Sequence, residues 1–184
     1  GISNQALWPL CHIVYTRPKF SRTDWKIYES VNRRFCDAVL EEIGSSSAFV
    51  FIQDYHLTLL PRMLRNERED LILAHFWHIP WPNREAFRIF PWGEEILDGL
   101  LANDLLGFHI QYHCNNFMDT VDRGIEAKVD YESYRIFRGG HPTYVRPFPI
   151  SVDFHQIGKD AVSSQVEEKR QSFIREVNGK ILET

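Results

Sequence analysis

Three short apolar runs, each followed at once by a polar residue, constrain this fold more than any other feature. The runs read FVFIQ, LILAHFW and DLLGF, and Asp54, His78 and His109 follow them directly. None of the runs alternates between apolar and polar residues, which is typical of strands that are buried on both faces of a sheet. The sequence therefore predicts an interior parallel sheet with polar groups where its strands end.

Helical patterns separate these strands. Ser21 can cap a helix whose apolar residues recur at spacings of three and four, and which should end at Gly44. Further helices are predicted at residues 57–67, 94–103 and 111–127, a hairpin around a Gly-Gly turn at 134–150, and a more exposed helix at 161–178. Strands that alternate with helices indicate an α/β fold with a parallel, Rossmann-like sheet.

The carboxyl ends of parallel strands lie at one edge of a sheet, and ligands of open α/β sheets bind outside that edge. We therefore expect Asp54, His78 and His109 to line one cleft. Simpler alternatives exist for each residue taken alone. A histidine at a strand end can be a hydrogen-bonded structural residue, and Asp54 can cap the helix that follows it.

Composition excludes several classes of protein. Hydrophobic residues make up 43% of the 184 residues and charged residues 25%, and the formal net charge is −4 with no Lys/Arg-rich run. These values argue against a nucleic-acid surface or a polybasic membrane patch. No apolar stretch approaches the roughly 18 residues of a membrane span. Three scattered cysteines indicate no disulfide framework, which favours a cytoplasmic location.

Common catalytic and cofactor motifs are not found in the sequence. His109 and His113 are four residues apart and could hold a metal on one helix face, but His109 falls at a strand end. There is no HExxH motif or Cys/His quartet, so we predict no metal site. GxSxG, GxGxxG and GxxxxGK[ST] are also missing, and no cofactor is predicted.

Trp8, which precedes Pro9, has two interpretations. It can be an ordinary core residue, or it can stack on the apolar C–H face of a sugar ring near a polar cleft. The second interpretation suits a carbohydrate ligand.

Four segments together resemble a known family. They read SNQALWPLCH, FIQDYHLTLLPRMLR, HFWHIPWPNREAFRIFPWGEEILDGLLANDLLGFH and RPFPISVDF. In this order they resemble the trehalose-6-phosphate synthases, which are family 20 glycosyltransferases, from Gly1 to about Asp160. The resemblance implies a glycosyltransferase-B fold with two Rossmann-like domains. Residues 1–160 would be part of the N-terminal, acceptor-side domain, and 161–184 a helical tail that leads towards the donor-binding domain.

The resemblance also implies an activity and roles for particular residues. The family transfers glucose with retention from a nucleotide-glucose to glucose 6-phosphate, without a protein nucleophile or an essential metal. Trp8 matches the tryptophan of the acceptor-side loop, and Asp54 the aspartate that binds acceptor hydroxyls. His78 matches the histidine beside the transferred glucose, and His109 lies where some relatives carry Gln or His.

The sequence departs from the family pattern at several points. Ser151 replaces a glycine in the usual PIG(I/V)D turn. The family's acceptor-side arginine loop would lie before Gly1, and its donor-phosphate Arg and Lys after the last residue. We therefore expect a fragment, cut at the front at least, that is inactive alone and that associates through an open sheet edge as a homo-oligomer.

Three alternative functions stay open at this point. The segment FWHIPWPN resembles the glucosylglycerol-phosphate synthase branch of the family, which uses ADP-glucose and glycerol 3-phosphate. A regulatory or scaffold subunit without catalytic activity is the second alternative. A phosphosugar-binding module is the third.

Overall fold

This computed structural model describes residues 1–177, which fall into one compact unit from Gly1 to Pro149 and a second that begins at Ile150. The first unit contains all six strands: β1 (Phe49–Gln53), β2 (Ile72–Trp77), β3 (Leu105–Phe108), β4 (Lys128–Asp130), β5 (Arg135–Arg138) and β6 (His141–Pro147). Its helices are α1 (Trp8–His12), α2 (Arg22–Ile43), α3 (Leu60–Glu67), α4 (Arg84–Phe87), α5 (Gly93–Leu100) and α6 (Gln111–Gly124), and a π-helical segment spans Ile2–Leu7.

The six strands form one sheet in the order β1-β2-β3-β6-β5-β4. The pairs β1–β2, β2–β3 and β3–β6 are parallel, whereas β5 and β4 add to β6 in antiparallel fashion. Gly139 and Gly140 connect β5 to β6 with φ values of 57° and 84°, which only glycine adopts readily. The α/β class and the predicted hairpin are therefore confirmed.

Local signals explain where the main helices begin and end. The Ser21 hydroxyl accepts a hydrogen bond from the Asp24 backbone N–H at the start of α2, and Gly44 ends this helix at φ 53°. Pro61 lies in the first turn of α3, where its missing N–H costs no hydrogen bond. These helices lie where the sequence predicts them.

One face of the sheet packs against the helices. Ile52 and Leu73 on this face form a buried cluster with Cys36 of α2 and Leu64 of α3. A larger cluster covers the rest of the face, and its strand residues are Trp77, Leu106, Phe108, Ile136 and Val145. We call this the helix-covered face.

The opposite face is open, contrary to the prediction that the apolar strands are buried on both sides. Phe49, Phe51 and Ile72 are 63%, 58% and 56% exposed. The prediction was wrong for the described residues because the helices cover only one face of the sheet. Side chains alternate between the two faces of a strand, so only alternate residues such as Val50 and Ile52 pack against the helices. We call this second surface the open face.

The second unit contains two helices, α7 (Phe154–Ala161) and α8 (Ser164–Glu176), neither of which has a buried residue. The exposed helix predicted at 161–178 is thus observed as α8, with residue 178 outside the described residues. The predicted domain limit at residue 160 falls within α7, and its assignment stays a prediction. Among residues 1–177, no helix combines the length and apolarity needed to cross a membrane.

Candidate functional site

The predicted polar edge exists, and it lies at the carboxyl ends of β1, β2 and β3. The backbone N–H of His78 lies 3.3 Å from Asp54 Oδ1, and the rings of His78 and His109 are 5.6 Å apart in an edge-to-face arrangement. The structure therefore brings these three residues together, as the strand pattern predicts. Their functional roles stay predictions.

Asp54 has an unusual backbone conformation. Its φ of 64° and ψ of 178° lie in a region that almost only glycine occupies. The Asp54 N–H donates to the Phe76 carbonyl at 2.7 Å, which fixes the residue against β2. Its carboxylate makes no capping bond to the 3-10 turn that follows, so the capping alternative is wrong. The strain indicates that the fold holds this carboxylate for another purpose.

His78 is exposed rather than buried, so it is not a core histidine. Its Nε2 lies 2.7 Å from Oε1 of Gln53, the last residue of β1. The Phe76 ring lies 4.6 Å from the imidazole ring. Phe76 in turn packs over Gly107, where a Cβ would approach its Cδ2 to 2.9 Å. Gly107 thus leaves space for the Phe76 ring beside His78.

His75 supports the site from the core and was missed by the sequence reasoning. It is 1% exposed, and its Nε2 lies 2.9 Å from the Asp54 carbonyl oxygen. Because that oxygen only accepts, Nε2 carries the proton. Burial lowers the pKa of His75 to about 4, and the nearby His78 adds to this effect while the bond to Asp54 opposes it. His75 is therefore a neutral donor near pH 7 that holds the backbone of Asp54.

His109 and His113 occupy different elements. His109 follows β3, whereas His113 lies in the first turn of α6, so the two do not share a helix face. The Nδ1 atoms of both are buried and lack a hydrogen-bond partner in the described part of the chain. Burial also lowers the pKa of His113. No group of three or more possible metal ligands is found within residues 1–177.

Trp8 begins α1 and is 41% exposed, with its ring 4.2 Å from that of His12. Two observations place the N-terminal segment beside the loop that follows β1. The Tyr55 hydroxyl donates to Asn4 Oδ1 at 3.3 Å. The pKa of Cys11 is raised by burial and, to a smaller extent, by the charge of Asp54. No hydrogen bond or ring contact in the described chain joins Trp8 directly to the three edge residues.

The polar edge is exposed at His78 and is separate from two cavities of about 1250 and 800 Å³, neither of which is lined by Asp54 or His78. The larger one lies at the opposite end of the sheet, beside the β5–β6 turn. We favour the edge as the site because it combines the strained residue Asp54, the exposed imidazole of His78 and the Phe76 ring beside it.

These features define the chain as an α/β domain with a polar edge at the carboxyl ends of its parallel strands, the place where open α/β sheets bind ligands. Residues 1–183 match the family model described as glycosyltransferase family 20. The chain belongs to this family, which confirms the resemblance seen in the sequence.

Individual relatives agree with the family assignment. The chain is 36% identical over 184 residues to trehalose-6-phosphate synthase of Mycolicibacterium vanbaalenii, and the match covers 96% of the chain and 37% of that protein. A trehalose-6-phosphate synthase structure analysed with bisubstrate glycomimetics matches with a TM-score of 0.79 and 27% identity, over 91% of the chain and 38% of that structure. The N-terminal domain of Candida albicans trehalose-6-phosphate phosphatase matches with a TM-score of 0.80 and 29% identity, over 95% and 37%. The chain therefore spans little more than a third of the length of these proteins.

Proposed function

We propose that this chain forms the acceptor side of a retaining glucosyltransferase. The enzyme would move glucose from a nucleotide-glucose to glucose 6-phosphate and so produce trehalose 6-phosphate. The observation that carries the proposal is the strained residue Asp54, whose carboxylate accepts from the backbone N–H of His78 at the polar edge of a family 20 chain. The related Mycolicibacterium vanbaalenii protein, named for this activity, supports it.

The chemistry of the edge suits this reaction. A carboxylate accepts hydrogen bonds from sugar hydroxyls, and we assign that role toward the acceptor to Asp54. His78 would lie against the transferred glucose, with His109 as its neighbour in the site. Trp8 would position the acceptor through its half-exposed ring. Groups that fix two substrates in a reactive orientation can lower a barrier by several kcal/mol.

Two alternatives remain for the function of the edge. The glucosylglycerol-phosphate branch would use the same residues with ADP-glucose and glycerol 3-phosphate. A regulatory or scaffold subunit would retain the fold without the transfer. The match to the N-terminal domain of a protein named a phosphatase favours this second alternative, because there the fold belongs to a protein named for another activity.

A transfer assay tests the proposal. The protein, expressed at its full natural length, is incubated with UDP- or ADP-glucose and with glucose 6-phosphate or glycerol 3-phosphate, and the product is identified by mass spectrometry. Trehalose 6-phosphate would support the proposal, and glucosylglycerol phosphate would move the protein to the other branch. No transfer with any of the four pairs would contradict a catalytic role. The 184-residue chain, assayed in parallel, is expected to be inactive.

Two further expectations belong to this proposal. We place the reaction in the cytoplasm, which the three free cysteines of the described chain favour. We also expect the chain to form a homo-oligomer, because the open face exposes large apolar side chains next to the edge strand β1.

A further inference from the structure

A glutamine side chain holds the imidazole of His78. Gln53 ends β1 and His78 follows β2, and the parallel register sets Gln53 opposite Phe76. The side chains of Gln53 and His78 therefore lie on the same face of neighbouring strands. Their polar atoms meet at 2.7 Å, the length of a strong hydrogen bond.

This contact fixes which ring nitrogen carries the proton. Oε1 of Gln53 is an amide carbonyl oxygen and accepts hydrogen bonds without donating them. Nε2 of His78 must therefore be the protonated nitrogen, and Nδ1 of the neutral ring is left as an acceptor. Nδ1 has no hydrogen-bond partner among residues 1–177, and the ring is exposed.

The other contacts of His78 do not involve its ring nitrogens. Its backbone N–H is directed at Asp54 Oδ1, and its ring contacts the rings of Phe76 at 4.6 Å and His109 at 5.6 Å. The first is a backbone contact and the other two are ring contacts without a hydrogen bond, so none of them selects a tautomer. Gln53 alone supplies a polar partner to the His78 ring within the described chain.

We propose that Gln53 is a positioning residue that keeps His78 in its Nε2–H tautomer, with Nδ1 free to accept a hydrogen bond from a hydroxyl group of the ligand. The relevance of this role to catalysis rests on the proposed glucosyl transfer. The tautomer itself follows from the contact alone and is measured independently of activity.

Histidine ring nitrogens can be observed directly in the chain. Long-range ¹H–¹⁵N correlation spectra of the ¹⁵N-labelled protein distinguish protonated from unprotonated ring nitrogens, and His78→Gln identifies the His78 signals. We expect the Nε2–H tautomer in the wild type. Gln53→Leu, which preserves the approximate size of the side chain, should produce a mixture of tautomers. Gln53→Glu should raise the fraction of His78 that is imidazolium at pH 7, because a carboxylate stabilises the charged ring.

Two controls separate positioning from general disturbance of the fold. Gln111→Leu removes another exposed glutamine, which donates to Asn115, and should leave the His78 signals unchanged. The buried His75 ring should remain the Nε2–H tautomer in every variant, which reports an intact sheet. A predominant Nδ1–H tautomer in the wild type would overturn the proposal, and so would an unchanged tautomer in Gln53→Leu.

Kinetics of the full-length protein test the consequence for the reaction. Gln53→Leu should lower kcat about tenfold, with a smaller change in the KM of the acceptor, because the orientation of one group is lost. Gln53→Glu should also alter the pH profile of kcat. Unchanged kcat in Gln53→Leu would overturn the catalytic part of the proposal. If no substrate pair reacts while the tautomer still depends on Gln53, the proposed function fails and the structural assignment stands.

Discussion

The polar side chains at the two ends of the parallel strands differ in how fully their hydrogen bonds are satisfied. At the amino end, Asp104 accepts hydrogen bonds from Arg65 at 2.8 Å and from the Leu73 N–H at 2.7 Å. Arg65 is 12% exposed and uses its other N–H groups on backbone carbonyl oxygens. At the carboxyl end, Asp54 is strained and the exposed ring of His78 has a single polar partner.

This difference separates stability from function along one sheet. Polar groups that satisfy each other, as at the amino end, stabilise the fold and leave little capacity for a ligand. Strained or unsatisfied groups, as at the carboxyl end, reduce stability and are kept where a ligand completes them. Substitutions at the two ends should therefore affect different measurements.

The largest expected effect is on transfer by Asp54→Asn in the full-length protein. The substitution keeps the size of the side chain but removes its charge, so the transfer rate should fall on the order of 10²- to 10³-fold. The free energy of unfolding should change by less than about 0.5 kcal/mol, because aspartate and asparagine have the same shape and bear the same backbone strain at this position. Steady-state kinetics and urea unfolding measure the two quantities. A transfer rate within twofold of wild type would contradict the role proposed for Asp54.

A pH effect should arise from His75. Its pKa is lowered from 6.5 to about 4 in the folded protein, so the unfolded state binds the proton first as the pH falls. The stabilising contribution of the neutral ring is complete above about pH 6.5 and is lost progressively down to pH 4, with a change of about 3 kcal/mol. The free energies of unfolding of wild type and His75→Gln, measured with urea and plotted against pH across this range, should converge towards low pH. Parallel curves would show that His75 does not titrate in this way.

At the amino end, Asp104→Ala should reduce the free energy of unfolding by about 2 kcal/mol. The substitution leaves the guanidinium of Arg65 and the N–H of Leu73 without their acceptor. Asp37→Ala on the exposed surface of α2 is the matched control and should stay near wild type. If Asp104→Ala were as stable as this control, the amino end would not be the stabilising end of the sheet.

The smallest expected effect is a gain in stability from Asp54→Gly. Glycine adopts φ 64° and ψ 178° without strain. The relief of strain should outweigh the greater entropy that glycine gives the unfolded chain, so the free energy of unfolding should rise by about 1 kcal/mol. Transfer should be lost. Ile13→Gly, at a φ of 52°, should also stabilise the protein but leave transfer unchanged. A clear loss of stability in Asp54→Gly would mean that the conformation is not strained.

The sequence predicts the polar edge but not the residues that support it. Asp54, His78 and His109 stand out because each interrupts an apolar run, and parallel strands bring such positions together. Gln53 and His75 lie inside runs that were interpreted as uniformly buried. Their roles depend on which face each strand turns to the helices, and the contacts between distant segments decide this. The local hints are the polar side chains of Gln53 and His75 within otherwise apolar runs.

The backbone conformation of Asp54 could not be predicted from the sequence either. Aspartate before a helical turn is a typical cap, and that was the simpler interpretation. The observed conformation arises because the Asp54 N–H donates to the Phe76 carbonyl and its own carbonyl accepts from His75. Tertiary hydrogen bonds of this kind override the local preference of the residue.

We propose that ligands bind at the carboxyl end of the strands and not at the amino end. The amino end is an alternative ligand site. The cavity of about 1250 Å³ there is lined by Arg62, Arg138 and Lys128, whose positive charges could attract a phosphate. Titration of the ¹⁵N-labelled chain with glucose 6-phosphate distinguishes the two ends by the residues whose amide signals shift. We predict shifts at Asp54, His78 and His109 and none at Asp104 or His141. Shifts confined to Arg62, Arg138 and His141 would contradict the claim.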